Sequence, residues 1–259
     1  MLPLESLYQG RVLNLAHRGA REVAPENTLP AFARAIEMGA DGFELDVQLT
    51  FDDVPILMHG RTLDDTTDGS GLPGEYTLEQ IKASDAGARF DAAFAGVRIP
   101  TLAEVLEAFP TAIINVELKL FSTQDIGLER AVVDVIEQHH AEGRVIVSSF
   151  NPFCLRRVRR LAPNLPIGML TAPDIGFVLR KGLLLLGVRR EAIHPHYEEV
   201  DARYVAQAHR RGWRVNIWTV NEAEDMERML DAGVDAIITD RPDRLKSILD
   251  ERSGKAGDR

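Results

Sequence analysis

The stretch that decides the fold of this chain is Phe43-Glu44-Leu45-Asp46-Val47-Gln48-Leu49-Thr50. Apolar and polar residues alternate along it with a period of two, which predicts a β-strand. Glu44 and Asp46 are two positions apart, so both carboxylates leave the same face of that strand, roughly 7 Å from each other along the chain. Acidic side chains are uncommon in strands and repel each other on a shared face, so we expect positive charge between them.

A second apolar run, Pro55-Ile56-Leu57-Met58-His59, follows after only a few residues. A parallel partner strand would need a crossover of about a dozen residues or more, so the two runs can pair only as an antiparallel hairpin. With the turn at residues 52 and 53, this hairpin places Asp46 opposite His59. We therefore expect Glu44, Asp46 and His59 to surround one point.

Length and composition limit the fold classes and the kinds of partner to be expected for this chain. The chain has 259 residues, of which 45% are hydrophobic and 27% charged, and it could form one α/β barrel or two smaller domains. The formal net charge is −10 and no basic stripe interrupts it, which argues against nucleic acid as a partner. The sequence gives no indication of oligomeric state.

The cellular location is expected to be cytoplasmic. Cys154 is the only cysteine, so an internal disulfide is excluded and a reducing compartment is the default. The first ten residues lack the pattern of a signal peptide. The most apolar stretch, residues 176–188, is interrupted by Arg180 and Lys181 and is too short to span a membrane.

From Arg11 onward, short β-rich runs alternate with longer helical patterns, including a helix expected within residues 175–186. If the return arm of the hairpin is left out, the predicted strands lie near residues 12–16, 43–50, 112–117, 145–148, 167–170, 192–194, 214–218 and 236–239. Eight such units in a chain of this length predict an α/β fold of the (β/α)₈ TIM barrel type. We expect one barrel domain over residues 1–252, with an inserted segment at roughly 51–100 and a disordered tail at 253–259.

Polar candidates fall at the C-terminal ends of the predicted strands, where the active sites of such barrels lie. Glu44, Asp46 and Glu117 would form an all-oxygen site that suits Mg²⁺ or Ca²⁺. Alternatively, these acids pair with Arg18 and Lys119 as a structural salt-bridge cluster. The spacing alone leaves both interpretations open.

The remaining candidates also have two interpretations. His17 and His59 suit the roles of general base and general acid near neutral pH, or are structural. Arg18 and Lys119 suit phosphate binding, or balance the charge of the acids. Trp218 ends the seventh predicted strand and either walls the site or belongs to the core.

Several short motifs, in this order along the chain, resemble those of the glycerophosphodiester phosphodiesterases. They are His17-Arg18-Gly19, Pro25-Glu26-Asn27-Thr28, Gly39-Ala40-Asp41-Gly42-Phe43-Glu44-Leu45-Asp46-Val47, His59, Glu117-Leu118-Lys119 and Trp218-Thr219-Val220-Asn221. The resemblance extends from about Val12 to Pro242. It implies a (β/α)₈ barrel with a small insertion after strand two, and metal-dependent hydrolysis of glycerophosphodiesters to glycerol 3-phosphate and an alcohol.

Residue by residue, the resemblance implies that Glu44, Asp46 and Glu117 bind a divalent cation, Mg²⁺ or Ca²⁺. It also implies that His17 and His59 are the acid/base pair and that Arg18 and Lys119 contact the phosphate. Trp218 is our further candidate for contact with the substrate.

One position departs from the family pattern. The family usually has His-Asp at the second histidine, whereas here Gly60 follows His59, as in the related phosphoinositide-cleaving phospholipases C. Asp64 and Asp65 are near enough in sequence to supply a substitute carboxylate.

Two other functions remain as alternatives. The apolar residues 176–188 favour a lysophospholipase D-type activity on single-chain lipids, with peripheral lipid contact. Gly60 favours a non-catalytic phosphate-binding barrel.

Overall fold

The computed structural model of the chain describes residues 7–173 and 187–257. Its strands are β1 (Leu13–His17), β2 (Gly42–Leu49), β3 (Pro55–Leu57), β4 (Ile113–Leu118), β5 (Val145–Ser149), β6 (Ile167–Thr171), β7 (Ala192–Pro195), β8 (Arg214–Ile217) and β9 (Ala236–Thr239). All except β3 run parallel, and the pairing of β9 and of β2 with β1 closes them into an eight-stranded barrel. The predicted (β/α)₈ fold is confirmed.

Helices alternate with the strands along the chain. They are α1 (Leu29–Glu37), α2 (Leu78–Ala83), α3 (Leu102–Ala108), α4 (Leu128–Gln138), α5 (Pro152–Leu161), α6 (Ala202–His209), α7 (Ala223–Ala232) and α8 (Pro242–Gly257). The expected helix within residues 175–186, and almost all of the apolar stretch around it, lie outside the described residues. No helix in the described part of the chain is long and apolar enough to cross a membrane.

Strand β2 is buried on both sides, and aromatic packing fixes its outer face. Phe32 of α1 stacks on Phe43 of β2 with ring centroids 4.1 Å apart, and Phe109 meets Phe43 edge-on at 5.3 Å. Inside the barrel, a separate apolar cluster includes Leu15 of β1, with Tyr8 at the base. Because every residue of β2 is buried, the polar side chains at its C-terminal end have a rigid support.

The predicted hairpin of β2 and β3 forms, but its predicted register is wrong by one residue. Val47 pairs with Leu57, so Asp46 lies opposite Met58 rather than opposite His59. The main-chain N–H of Met58 donates to the carbonyl of Asp46 at 2.9 Å. The reason lies in the connecting loop.

The hairpin loop is one residue longer than the turn we expected. The N–H of Thr50 donates to the carbonyl of Val54 at 3.1 Å, which leaves three residues in the loop, and Asp53 adopts the left-handed region with φ of 61°. In a continuous strand, a shift of one residue in the register would move every following side chain to the opposite face of the sheet. β3 ends at Leu57, so His59 lies outside the strand and its side chain does not have to follow this alternation.

After β3, residues 58–101 cover one side of the barrel mouth with three short 3₁₀ turns and α2. They have a small apolar core of their own, which includes Met58, Leu63 and Ile81. At the other end of the chain, α8 continues to Gly257 and overlaps the beginning of the tail predicted at 253–259. The limits of the single domain and of its insertion stay predictions.

Candidate active site

Strand register brings the predicted acidic residues to one rim of the barrel. Glu44 of β2 is paired with His17 of β1, and Asp46 of β2 is paired with Glu117 of β4. Carboxylate oxygens of the three acids lie within 4.8 Å of one another, and all three residues are buried. The structure therefore brings together the set that the spacing indicated.

Asp46 is surrounded by positive charge. Its carboxylate lies 3.4 Å from Nζ of Lys119 and 3.2 Å from Nε of Arg18. Nδ2 of Asn27 donates to the same carboxylate at 3.0 Å, and the N–H of Asp46 donates back to Oδ1 of Asn27 at 3.2 Å. Burial alone would raise the pKa of Asp46, but Lys119 and Arg18 outweigh it, so the pKa lies below its ordinary value.

Glu117 and Glu44 are less well compensated. Lys119 donates to Glu117 at 2.9 Å, yet burial raises the pKa of Glu117 to about 7. Burial, then the charges of Asp46 and Glu117, raise the pKa of Glu44 well above its ordinary value. Within the described residues, no lysine or arginine side chain lies within ion-pair distance of Glu44, whose carboxylate accepts only the N–H of Arg18 at 3.3 Å.

This charge balance discriminates between the two interpretations of the acids. Arg18 and Lys119 do pair with Asp46 and Glu117, as the salt-bridge interpretation expects. They leave Glu44 buried, at 4% exposure, and without an ion-pair partner in a cluster of three carboxylates, itself included, and two basic side chains. Hard oxygen donors with an excess of negative charge fit a divalent cation such as Mg²⁺ or Ca²⁺.

His17 is held by a second carboxylate. Its Nδ1 lies 2.8 Å from Oδ1 of Asp240, and Nδ2 of Asn221 donates to the other oxygen of Asp240 at 2.7 Å. Since a carboxylate can only accept, Nδ1 of His17 carries the proton, which leaves Nε2 as the acceptor of the neutral ring. Burial lowers the pKa of His17, and the hydrogen bond to Asp240 opposes that change. Nε2 of His17 is therefore available to accept a hydrogen bond or a proton.

His59 reaches the same rim from the other arm. Burial lowers its pKa to about 4, while the nearby charge of Asp46 opposes the change. Neither of its ring nitrogens has a hydrogen-bond partner within residues 7–173 and 187–257. A neutral ring with free nitrogens can both accept and donate a proton.

Trp218 follows β8 and is partly buried. Its Nε1 donates to the carbonyl of His194 at 2.9 Å, and its ring meets Phe150 edge-on at 5.6 Å and His196 at 5.2 Å. These contacts fix the indole on the rim side of the barrel. Among the described residues, no hydrogen bond joins Trp218 to the acidic cluster.

Gly60 lies against Asp65, and this explains the absence of a side chain at position 60. A Cβ at Gly60 would overlap the carboxylate of Asp65, which accepts the N–H of Thr62 at 3.1 Å. Asp64 instead accepts the N–H of Gly71 at 2.9 Å and belongs to the insertion.

Sequence reasoning missed Asp240, Asn221 and Asn27 as supporting residues. Asp240 directly follows β9, so the rule that selected the other acids at strand ends would have found it. Asn27 and Asn221 stand in two of the motifs quoted for the resemblance. Their partners, Asp46 and Asp240, could not be read from the sequence.

Comparison with known proteins gives a consistent result. A sequence profile of the Glycerophosphoryl diester phosphodiesterase family matches residues 17–244. A glycerophosphodiester phosphodiesterase of Caldanaerobacter subterraneus subsp. tengcongensis is 43% identical over 241 residues, covering 92% of this chain and 98% of that protein.

Solved structures agree with the fold. A structure from Silicibacter pomeroyi DSS-3 has a TM-score of 0.86 and 29% identity, covering 98% of this chain and 99% of the other. A phosphodiesterase of Oleispira antarctica, solved in complex with the product sn-glycerol-3-phosphate, has a TM-score of 0.81 and 30% identity, covering 91% of this chain and 96% of the other.

Proposed function

Because this chain belongs to the glycerophosphoryl diester phosphodiesterase family, we propose that it hydrolyses glycerophosphodiesters to glycerol 3-phosphate and an alcohol. It is a phosphoric diester hydrolase. The observation that carries the proposal is the cluster of three buried carboxylates, with oxygens within 4.8 Å of one another, beside His17. The Oleispira relative, which binds sn-glycerol-3-phosphate, supports the same product.

Glu44, Asp46 and Glu117 would hold the cation, Mg²⁺ or Ca²⁺. When bound, such a cation neutralises charge on a phosphate oxygen and lowers the pKa of a neighbouring hydroxyl. Arg18 and Lys119 stand on either side of Asp46 and would orient the phosphate by their charge. Trp218 would wall the far side of the pocket.

The two histidines would move the protons. One ring removes the proton of the glycerol hydroxyl next to the phosphate, and that oxygen attacks phosphorus. The bond from phosphorus to the alcohol breaks as the other ring protonates the departing oxygen. Water then opens the resulting cyclic phosphate, with the two rings in exchanged roles.

The proposal is tested by product formation from glycerophosphocholine with Mg²⁺, Ca²⁺ or a chelator. We expect His17→Ala and His59→Ala each to reduce turnover about 10²- to 10⁴-fold. His209→Ala is the matched control, because His209 is also bonded to a carboxylate, Asp235 at 2.7 Å, but on the outer helix α6. Absence of product with either cation would exclude this function, whereas full turnover in the chelator would exclude the metal dependence and full turnover in both histidine variants would exclude the two-histidine mechanism.

Activity on single-chain lipids is the second candidate, and exposed aromatic side chains favour it. Phe51, Phe121 and Phe153 are 70%, 61% and 41% exposed, and they follow β2, β4 and β5 on the rim side of the barrel. They could contact an acyl chain or a lipid surface. Faster release of choline from lysophosphatidylcholine than from glycerophosphocholine would favour this candidate. Tight binding of both compounds without turnover would instead favour the non-catalytic barrel.

A further inference from the structure

The two histidines of the site are held in different ways. His17 is bonded through Nδ1 to Asp240 at 2.8 Å. His59 has no hydrogen-bond partner for its ring in the described part of the chain. The direction of the His59 ring therefore depends on the backbone that carries it.

That backbone lies beyond the regular hairpin ladder. β3 ends at Leu57, and the bond from the N–H of Met58 to the carbonyl of Asp46, at 2.9 Å, is the last rung before His59. Main chain outside a ladder has more freedom to rotate unless another group holds it.

Gln48 holds the main chain on both sides of His59 by two hydrogen bonds. Its Nε2 donates to the carbonyl of Met58 at 2.9 Å and to the carbonyl of Gly60 at 2.6 Å, and these two carbonyls flank His59. A rotation of the main chain at His59 would break at least one of the two bonds. Gln48 itself is 7% exposed and lies within β2, on the same strand face as Asp46.

Asp65 confines the segment from the other side. Its carboxylate accepts the N–H of Thr62 at 3.1 Å and occupies the space that a Cβ at Gly60 would take. The main chain around His59 is thus enclosed between a donor on the barrel strand and a carboxylate of the insertion.

We infer that Gln48 is a positioning residue that orients His59 for proton transfer. The inference rests on the proposed function, because it requires His59 to act in the reaction. A neutral amide suits this position, since it provides both donors without adding a charge beside the three carboxylates.

A double-mutant cycle tests the inference. Gln48→Met removes both donated hydrogen bonds at similar side-chain length, and we expect it to lower turnover of glycerophosphocholine about 10- to 100-fold, with a smaller change in KM. In the His59→Ala protein the same substitution should change turnover less than about two-fold, because no ring remains to be positioned. In the His17→Ala protein it should keep its full effect.

Asn14→Leu is the matched control. Nδ2 of Asn14 also donates to two main-chain carbonyls, those of Gly39 at 3.3 Å and Pro242 at 2.9 Å, but it lies near the opposite end of β1 from His17. We expect this variant to lower the melting temperature and to leave turnover unchanged. If Gln48→Met does not fold, Gln48→Asn stays neutral and polar, is one methylene too short to keep both hydrogen bonds, and should couple to His59 in the same way.

Two failures are distinguishable. An equal cost of Gln48→Met in the His59→Ala and His17→Ala proteins would overturn the positioning role alone. Unchanged turnover in His59→Ala itself would overturn the two-histidine mechanism and, with it, this inference.

Discussion

Asp240 illustrates how one residue can set the chemistry of another. Its carboxylate accepts from Nδ1 of His17 and is itself held by Asn221 at 2.7 Å. This arrangement keeps Nε2 of His17 free of the proton and directs it away from Asp240. The orientation and the protonation of His17 therefore depend on a residue that has no contact with the acidic cluster in the described structure.

We expect Asp240→Asn to lower turnover about 10²-fold or more, because the amide can donate to Nδ1 and so favours the wrong tautomer of His17. The measurement is kcat for glycerophosphocholine over a range of pH. Asp243→Asn is the control, since Asp243 pairs with Arg241 at 3.1 Å on the outer surface. Equal kinetics of the two variants would contradict the role of Asp240.

Glu44 is the carboxyl group of the site that lacks a basic partner, and burial raises its pKa well above the ordinary value. We expect Glu44→Gln to raise the stability of the metal-free protein by on the order of 1 kcal/mol or more, because a neutral amide avoids the cost of either ionising this buried carboxyl or forcing it to bind a proton. Saturating Mg²⁺ or Ca²⁺ should stabilise the wild-type protein but not this variant.

The measurement is the melting temperature in chelator and in excess cation. Glu37→Gln serves as control, because Glu37 is 63% exposed and pairs with Arg34 on α1. A variant at Glu44 that gains as much stability from the cation as the wild-type protein would rule out Glu44 as a ligand.

At the scale of elements, the hairpin after β2 determines where His59 lies. Its three-residue loop shifts the register by one, and β3 stops at Leu57. The side chain of His59 is then placed by Gln48 and by the packing of Gly60 on Asp65. The departure from the usual His-Asp pattern is thus coupled to a carboxylate in the insertion.

We expect Gly60→Asp to destabilise the protein by about 1–3 kcal/mol, because the new side chain would overlap Asp65. Adding Asp65→Gly should restore much of the loss. Urea unfolding of the single and double variants measures both effects. Gly143→Asp is the control, since nothing lies within 4 Å of a Cβ at Gly143, and an equal loss there would contradict the steric explanation.

At the scale of the whole molecule, the barrel interior carries a polar layer below the site. His194 of β7 is 0% exposed, accepts from Nδ2 of Asn216 at 3.1 Å, and fills the space above Gly168. Burial lowers the pKa of His194 to about 3. The ring is therefore neutral in the folded barrel.

This gives the protein an acid sensitivity of known sign. The unfolded chain protonates His194 below its ordinary pKa of about 6.5, whereas the folded barrel does so only near 3. The contribution of neutral His194 to the free energy of unfolding is complete above about pH 6.5. Between that pH and the folded-state pKa of about 3, the free energy of unfolding should fall by about 1.4 kcal/mol per pH unit.

We expect His194→Gln, which keeps an acceptor for Asn216, to lose less stability than the wild-type protein between pH 7 and pH 4.5, by roughly 2–3 kcal/mol. Urea unfolding at both pH values provides the measurement. His140→Gln is the exposed control. The same acid loss in the wild-type and His194→Gln proteins would contradict the assignment.

Local pattern alone determined much of this protein. The alternation over residues 43–50 placed Glu44 and Asp46 on one strand face, and the repetition of strand and helix indicated a barrel with polar residues at the strand ends. Both inferences succeed because the period of a strand and the direction of a parallel sheet are properties of the backbone itself.

Only the tertiary structure decided how the site is held. Asp240 and His17 are 223 positions apart in the sequence, and they meet because β9 pairs with β1 to close the barrel. A local sequence pattern cannot predict such a contact. The same holds for three other features of the site: the register of the hairpin, the hydrogen bonds from Gln48 to the carbonyls around His59, and the lack of a basic partner for Glu44. Each depends on which groups lie close together in space, and that is decided only when the barrel closes.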